Sequence, residues 1–245
     1  MDVDAHLSDP ETKQLFVTPM FDVIAPRYDR FTRLFSFGMD VRWKRAAINA
    51  AVGRAANAQN ALDLACGTGD FCFALARELK SLSVTGIDAS PRMIDEATRR
   101  LVHESTVGSM MRFAVGDMMS LTAETGSIDL ITVGYGVRNV PNAETAVREM
   151  ARVMRPGATL VTLDFYRPAP TIWRTLLLGY LSVAGNVVGW LWYRDPIVYG
   201  YIAKSIEHFM SWQAFSALLV REGFVVNRVE RHLGGGIALH IATRV

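Results

Sequence analysis

The sequence predicts an α/β domain in which a parallel sheet carries helices on both faces. Short apolar runs alternate with longer amphipathic segments between residues 61 and 165. The short runs are apolar on both faces, as strands are when helices cover each side of a sheet. The first run leads into the turn Cys66-Gly67-Thr68-Gly69, which resembles the first strand–helix connection of nucleotide-binding sheets.

The composition is that of a globular chain with one substantial core. Of the 245 residues, 50% are hydrophobic and 20% are charged, which excludes a disordered chain. The net charge of +2, without a Lys/Arg block, argues against a nucleic-acid partner. Two cysteines, Cys66 and Cys72, suggest neither a zinc site nor a disulfide framework, so a reducing cytoplasmic compartment is expected. The first residues show no signal-peptide pattern, and no signal peptide is expected.

Helices are predicted before the sheet, and strands alternate with helices within it. A polar, loosely held tail is expected up to about Lys13, and helical spacing follows over 17–48 with a break at Ala25-Pro26. The predicted strands are 61–65, 83–87, 111–115, 128–133 and 159–165, and the predicted helices are 71–79, 91–103 and 144–154. Ser90-Pro91 should begin the second of these helices, and Arg155-Pro156-Gly157 should end the third.

Residues 172–193 are nearly all apolar, and three interpretations of them stay open. They could form a transmembrane helix, a buried helix pair, or a lipid-facing cover over an active site. The sheet pattern resumes at 223–230 and 236–243, and a membrane span would separate the two parts of that sheet. Trp190, Trp192 and Tyr193 are residue types expected at a membrane interface. We therefore describe a single domain with N-terminal helices (1–50), a core (58–168), an apolar helical cover (171–212) and a last helix with a C-terminal hairpin (213–245).

The glycine-rich turn favours S-adenosylmethionine over a dinucleotide as ligand. Gly67 and Gly69 let the backbone approach a ligand, and Asp88, nineteen residues after Gly69, suits a pair of ribose hydroxyls. Asp63 and Asp70 bracket the turn, where they would repel a pyrophosphate but suit the ammonium and sulfonium charges of S-adenosylmethionine.

Ligands of such sheets bind beyond the carboxyl ends of the strands, so the residues that follow each strand are site candidates. Asp117 is either an acceptor for the adenine amino group or a helix N-cap, and Met118 would flank the ring. Gly134 allows close approach to the methionyl part. Arg138 would stabilise a phenolate during methyl transfer, or it forms a structural ion pair. Methyl transfer from a sulfonium requires no metal.

Several runs resemble the ubiquinone/menaquinone biosynthesis C-methyltransferases over nearly the whole chain. They are Phe21-Asp22-Val23-Ile24-Ala25-Pro26-Arg27-Tyr28-Asp29, Ser36-Phe37-Gly38-Met39-Asp40, the turn from Asp63 to Asp70, Tyr135-Gly136-Val137-Arg138-Asn139-Val140, Leu163-Asp164-Phe165, Tyr201-Ile202-Ala203-Lys204-Ser205-Ile206 and Gly236-Ile237-Ala238-Leu239-His240. The Tyr-Gly-Val-Arg-Asn run and the Gly-Ile-Ala-Leu-His ending are the most specific of them.

The resemblance implies a class I S-adenosylmethionine-dependent methyltransferase that methylates a ring carbon of a polyprenylated benzoquinol or naphthoquinol. It implies a Rossmann-like, seven-stranded, mostly parallel sheet with an N-terminal helical lid and a helical insertion before the last two strands. The residues it implicates in catalysis are Arg138, Asn139, Asp164 and Tyr28, and the cofactor-binding candidates are Asp63, Gly67, Thr68, Gly69, Asp88, Ala89, Asp117, Met118 and Gly134. The expected partners are a lipophilic quinol and a membrane surface, with a homodimer or a quinone-biosynthesis complex as further expectations.

Two other functions stay open at this point. The chain could methylate another lipid or an aromatic natural product, for example as a phosphatidylethanolamine N-methyltransferase, or it could be a non-catalytic, S-adenosylmethionine-binding assembly subunit. His240 could act as a base, but its place in an apolar terminal strand favours a hydrogen-bonded core histidine.

Overall fold

A seven-stranded sheet forms the centre of the computed structural model, which describes residues 10–80, 82–104, 110–169, 171–194 and 197–245. The strands are β1 (Asn60–Leu64), β2 (Ser83–Asp88), β3 (Met111–Val115), β4 (Ile128–Gly134), β5 (Met154–Phe165), β6 (Phe224–His232) and β7 (Ile237–Arg244). Their order is β3-β2-β1-β4-β5-β7-β6, and β7 runs in the opposite direction to the other six strands. The predicted fold class is confirmed.

The helices lie before, between and after the strands. They are α1 (Pro10–Ile24), α2 (Tyr28–Phe35), α3 (Met39–Arg54), α4 (Asp70–Glu78), α5 (Pro91–His103), α6 (Ala143–Val153), α7 (Ile172–Tyr193), α8 (Ile197–His208) and α9 (Trp212–Arg221). A short 3-10 turn at Ala25–Arg27 separates α1 from α2, as the Ala25-Pro26 break predicts. The Ser90 hydroxyl accepts from the Met93 N–H at 3.1 Å and caps α5, with Pro91 as its first residue.

The triplet Arg155-Pro156-Gly157 follows the end of a helix, as predicted, but the next strand begins before it rather than at Thr159. Helix α6 already ends at Val153, and the triplet lies within β5. Met154 pairs with Ile128, and the register between β4 and β5 shifts before Leu130. Since a residue before proline favours extended backbone, and Gly157 adopts a φ of +84°, the triplet accommodates this irregularity in the strand.

Each face of the sheet is covered by its own hydrophobic cluster. Helices α6 and α9 cover one face, with Val147, Met150, Phe215 and Leu219 packed against the strands. Helices α3, α4 and α5 cover the other face. Because both faces are covered, the carboxyl-end edge of the parallel strands is the part of the sheet that remains open to a ligand.

Helix α7 lies on the outside of the molecule with one side buried. It packs along α8, and its buried residues Leu177, Leu181, Gly185 and Gly189 recur every four positions. Among the described helices it alone has the length and composition of a membrane span. The chain then returns to the same sheet, where β7 pairs with β5. The segment is therefore one helix that covers the domain, with its other side exposed.

Candidate functional site

A cavity lies at the carboxyl ends of the parallel strands, where the sequence predicts the ligand. This strand-end cavity has a volume of about 1020 Å³, counted to its open mouth. Helix α1 forms its roof through Gln14, Val17, Thr18 and Phe21. Eight of the nine cofactor-binding candidates line it: Asp63, Gly67, Thr68, Asp88, Ala89, Asp117, Met118 and Gly134. The ninth candidate, Gly69, is not one of the residues that line this cavity.

The turn after β1 requires its glycines for conformational and steric reasons. Gly67 and Gly69 have φ values of +54° and +89°. A Cβ on Gly69 would come within 2.8 Å of the Phe113 ring, so there is no room for a side chain at this position. The Gly67 N–H donates to Asp88 Oδ2 at 2.8 Å, so the turn is tied to the end of β2.

The Asp88 carboxylate is held by backbone donors on both oxygens. Besides the bond from Gly67, the Ser90 N–H donates to Oδ1 at 2.9 Å. Burial raises the pKa of Asp88, while these backbone hydrogen bonds partly offset the effect. A carboxylate oxygen can accept more than one hydrogen bond, so this fixed carboxylate retains capacity for two ligand hydroxyls.

The two aspartates that bracket the turn differ in their electrostatic state. Asp63 is buried and accepts from the Thr132 hydroxyl at 2.7 Å and the Cys72 thiol at 3.3 Å. Burial raises the pKa of Asp63 to about 7. Asp70 forms ion pairs with Lys44 at 2.8 Å and Arg100 at 2.7 Å. Although burial opposes it, these cations lower the pKa of Asp70, whose charge is therefore already compensated within the protein.

Asp117 caps a turn rather than a helix, so the helix N-cap alternative is wrong. Its Oδ1 accepts from the Met119 N–H at 2.8 Å, and an isolated bridge joins Asp117 to Ser120. No helix occurs over residues 117–127, all of which are described. Asp117 and Met118 face the strand-end cavity, which leaves the adenine-binding interpretation in place.

A second, more apolar cavity adjoins the first. This aromatic cavity, of about 1090 Å³, is enclosed by the end of α1, by α2, by the start of α3 and by α7. Phe21, Tyr28 and Tyr135 line both cavities. A ligand in one cavity can therefore meet a ligand in the other at these three side chains.

Arg138 is buried beside the carboxyl ends of β4 and β5 and lines the aromatic cavity. It lies in the 3-10 turn Val137–Asn139 and is 4% exposed. One of its guanidinium nitrogens, Nη1, donates to Asp164 Oδ1 at 2.7 Å and to the Tyr135 carbonyl at 2.8 Å. Arg138 Nε and the Tyr135 hydroxyl are buried and have no hydrogen-bond partner among the described residues. Two polar groups of the cavity wall are thus left for a ligand.

Asp164 acts on the site through Arg138, since it lines neither cavity. It is fully buried, and its second oxygen accepts from the Arg138 backbone N–H at 3.1 Å. The Phe165 N–H also donates to Oδ1, at 2.7 Å. These bonds fix both the backbone and the guanidinium of Arg138. Arg138 therefore forms a structural ion pair and also lines the aromatic cavity.

The comparisons with known proteins agree with this geometry. The model of the ubiE/COQ5 methyltransferase family matches residues 9–244. The chain belongs to this family. A demethylmenaquinone methyltransferase of Thermus thermophilus is 35% identical over 225 residues, which are 92% of this chain and 100% of the relative. The ubiquinone/menaquinone biosynthesis C-methyltransferase of Geotalea uraniireducens is 33% identical over 223 residues, 91% of this chain and 93% of the relative.

The fold comparison extends beyond the family. The crystal structure of an S-adenosylmethionine-dependent methyltransferase from Aquifex aeolicus superposes with a TM-score of 0.55 at 16% identity, covering 76% of this chain and 82% of that one. The chain is thus a methyltransferase with the class I, S-adenosylmethionine-dependent fold. The predicted family and enzyme class are confirmed.

Two residues that were not predicted from the sequence, Tyr201 and Lys13, contact the turn Val137–Asn139. The Tyr201 hydroxyl donates to Asn139 Oδ1 at 2.7 Å, and Asn139 Nδ2 donates to the Tyr135 carbonyl at 3.1 Å. Lys13 Nζ donates to the Arg138 carbonyl at 2.9 Å. Tyr201 lies in one of the runs that resemble the family, and its place in that run could have identified it from the sequence. The expectation of a loosely held tail up to about Lys13 is wrong for residues 10–13, because they lie in α1, which brings Lys13 to Arg138. Residues 1–9 lie outside the described part of the chain.

His240 is a core residue, as its apolar strand predicts. Its ring lies within hydrogen-bond distance of the Trp212 carbonyl, the Ser216 hydroxyl and the Tyr166 hydroxyl. Burial lowers the pKa of His240 to about 4, so the imidazole is neutral at physiological pH. It lines neither cavity, and it is therefore not positioned to take a proton from a ligand there.

Proposed function

We propose that this protein transfers the methyl group of S-adenosylmethionine to a ring carbon of a polyprenylated benzoquinol or naphthoquinol. The observation that carries the proposal is the junction of two unlike cavities beside the buried Arg138, one lined by aspartates at the strand ends and one aromatic. The names of the relatives, which include demethylmenaquinone methyltransferase, support a quinone-pathway substrate.

The strand-end cavity offers the hydrogen-bond acceptors and carboxylates that S-adenosylmethionine needs. Asp88 would accept from the ribose hydroxyls, and Asp117 with Met118 would receive the adenine. Asp63 would attract the ammonium and sulfonium charges once it is ionised. Gly134 and Gly136 leave the backbone accessible, and a Cβ on Gly136 would come within 2.4 Å of the Ala65 Cβ. When bound, S-adenosylmethionine supplies an electrophilic methyl group on a sulfonium.

Arg138 would activate the quinol by stabilising its deprotonated hydroxyl. Loss of that proton to water would raise electron density at the adjacent ring carbon. This carbon would take the methyl group as the neutral thioether leaves, and would then lose its own proton to water. A buried cation with an unpaired Nε–H stabilises the oxyanion more strongly than water does, because the surrounding dielectric is low. Asp164 holds the guanidinium in place, so little reorganisation is needed. Tyr28 and Tyr135, at the junction of the cavities, would align the ring with the methyl group.

A phospholipid amine is a poorer match for this cavity. Its ammonium form carries a positive charge, which the buried Arg138 would repel, and its nitrogen needs no cation to become nucleophilic. An assembly subunit that only binds the cofactor would have no need for the buried Arg138 beside a second cavity. These arguments favour C-methylation of a hydroxylated ring over both alternatives.

The quinone pool of a strain that lacks this protein tests the proposal directly. Mass spectrometry should detect a benzoquinone or naphthoquinone lighter by one methylene, and the wild-type gene should restore the normal quinone. An unchanged pool would contradict the proposal.

Arg138→Lys tests the role of the guanidinium. It keeps a cation beside Asp164 but removes Nε, so we expect turnover of the purified enzyme to fall by about a hundredfold or more. Binding of S-adenosylhomocysteine, measured by calorimetry, should change by less than about threefold and reports that the variant is folded. Arg148→Met removes an exposed, ion-paired arginine and serves as the matched control. Full activity of Arg138→Lys would refute the assigned role.

A further inference from the structure

The outer side of α7 is largely apolar, and Thr175 and Asn186 are the polar residues that this helix exposes. Its large apolar residues Ile172, Leu176, Val183, Val187, Trp190 and Leu191 are between 51% and 82% exposed. Their spacing of about three, four or seven residues places them on one side of the helix, opposite the buried Leu177 and Leu181. No exposed residue of α7 is charged. At 1.5 Å per residue this surface is about 30 Å long, far more than the scattered apolar contacts of a typical protein surface.

This outer α7 surface is continuous with the mouth of the aromatic cavity. The Tyr180 ring, on α7, stacks on Phe35 and Phe37 with centroids 5.8 Å apart in each pair. Phe37 is 76% exposed and has a φ of +52°, a conformation that is unfavourable for a bulky residue. Tyr180 and Phe37 line the aromatic cavity as well as the exterior. The Tyr180 hydroxyl donates to the Phe35 carbonyl at 3.1 Å, so an apolar chain that passes from the outer surface into the cavity meets the aromatic rings of Phe37 and Tyr180.

Arginines and tryptophans border one end of the surface. Arg27 lies over the Trp192 and Tyr193 rings and donates to the Trp192 carbonyl at 3.1 Å. Arg194 lies over the Trp190 ring, 5.0 Å from its centroid. Tryptophan and arginine at the border of an apolar surface are typical of a protein segment at the headgroup level of a bilayer.

We propose that the outer α7 surface binds an anionic lipid bilayer, with α7 parallel to the membrane plane at the boundary of headgroups and acyl chains. The buried side of α7 packs on α8, so the helix contacts lipid along one side only. Anionic headgroups neutralise the bordering arginines, whereas a second copy of the chain would bring arginines of the same charge. The surface places the cavity mouth against the lipid. Only this last consequence, direct entry of a lipid-soluble quinol, rests on the proposed function.

Vesicle flotation with the full-length protein tests the binding surface. Vesicles of phosphatidylglycerol and phosphatidylethanolamine should bind at least about ten times more protein than pure phosphatidylcholine vesicles. Val187→Glu with Leu191→Glu should reduce binding to the anionic vesicles by about tenfold or more, because two charges would enter the acyl region. Neither residue lines a cavity. Val220→Glu on α9, which alters an equally exposed valine, is the matched control and should bind as the wild type does.

Two further measurements separate this proposal from the proposed function. With a short-tailed, water-soluble quinol, the Val187→Glu/Leu191→Glu variant should keep wild-type turnover, and with a long-tailed quinol in vesicles its turnover should fall by about tenfold. Equal vesicle binding by variant and wild type would overturn the proposal. So would a wild-type dimer, measured by light scattering, that the variant converts to monomer without any loss of lipid binding. Specific vesicle binding without turnover of either quinol would support the surface and refute the function.

Discussion

At the scale of single residues, the buried ionisable side chains of Arg138 and Asp63 differ in whether the protein itself supplies an opposite charge beside them. Arg138 has its counterion within the protein, because Asp164 is 2.7 Å away. Asp63 has hydroxyl and thiol donors but no adjacent cation among its hydrogen-bond partners, and burial raises its pKa to about 7. Folding alone therefore disfavours the ionised form of Asp63, which a cationic ligand would stabilise.

We expect Asp63→Asn to stabilise the free protein and to weaken cofactor binding. The pKa of this carboxyl is about 3.8 in the unfolded chain and about 7 in the folded protein, so the folded state binds more protons between these values. The stability of the free wild type should therefore fall as pH rises through this window, and the whole penalty, at most about 4 kcal/mol, is present above it. The variant lacks this penalty.

Differential scanning fluorimetry at several pH values measures this effect. The melting temperature of Asp63→Asn at about pH 8 should exceed that of the wild type by several degrees, and its dependence on pH between about 5 and 7 should be weaker. Affinity for S-adenosylmethionine should fall by about tenfold, since a charge-assisted contact is lost. Asp95→Asn, at an exposed position of α5, is the control. A variant that binds as tightly as the wild type would exclude Asp63 from contact with the cationic groups.

At the scale of secondary-structure elements, α1 acts as a roof that is attached to the turn Val137–Asn139. Its residues Gln14, Val17, Thr18 and Phe21 line the strand-end cavity, and Lys13 bonds to the Arg138 carbonyl. Phe16 packs on Tyr201, which in turn binds Asn139. Helices from both ends of the sequence thus hold the turn Val137–Asn139 in place.

We expect Lys13→Met to loosen α1 without unfolding the domain. The variant keeps the aliphatic stem but loses the donor to Arg138, a contribution of about 1 kcal/mol. Hydrogen exchange, followed by mass spectrometry, should accelerate over residues 10–24 while that of α4 stays unchanged. The dissociation constant of S-adenosylhomocysteine should rise about fivefold, because the roof closes less often. Lys80→Met, at an exposed lysine beyond α4, should match the wild type, and unchanged exchange in Lys13→Met would show that the bond does not hold the roof.

At the scale of the whole molecule, the two cavities share walls, so their ligands should influence each other. Phe21 and Tyr28 come from the N-terminal helices, whereas Tyr135 follows β4. A ligand in either cavity orders side chains that the other ligand also contacts, and the second ligand then meets a lower ordering cost. Positive coupling between cofactor and quinol follows from this arrangement.

Calorimetry measures this coupling with S-adenosylhomocysteine and a short-tailed quinol analogue. Saturation with either ligand should tighten binding of the other by about fivefold, and linkage requires the two factors to be equal. Tyr28→Ala removes one of the shared walls and should reduce the factor toward one. Independent binding in the wild type would show that the shared residues are already fixed in the free protein.

Local patterns in the sequence predict much of the fold and much of the lining of the strand-end cavity. The turn after β1 and the position of Asp88 at the end of β2 depend on strand ends and glycine spacing, which are visible along the chain. The partner of Arg138 is different, since Asp164 is 26 residues away and only the β4–β5 pairing brings the two together. Lys13 and Tyr201 are farther still, at 125 residues from Arg138 and 62 residues from Asn139.

The sequence by itself determined the alternation of strands and helices, the extent of α7 and the family, because each depends on residues that lie close together in the chain. Only the tertiary structure decided which side of α7 is buried, that Asp70 is already neutralised and that two cavities meet at Tyr28 and Tyr135. These properties depend on burial and on contacts between distant segments. Since burial sets the pKa of Asp63 and long-range pairing sets the position of Arg138, the chemistry of the site emerges only once the chain has folded.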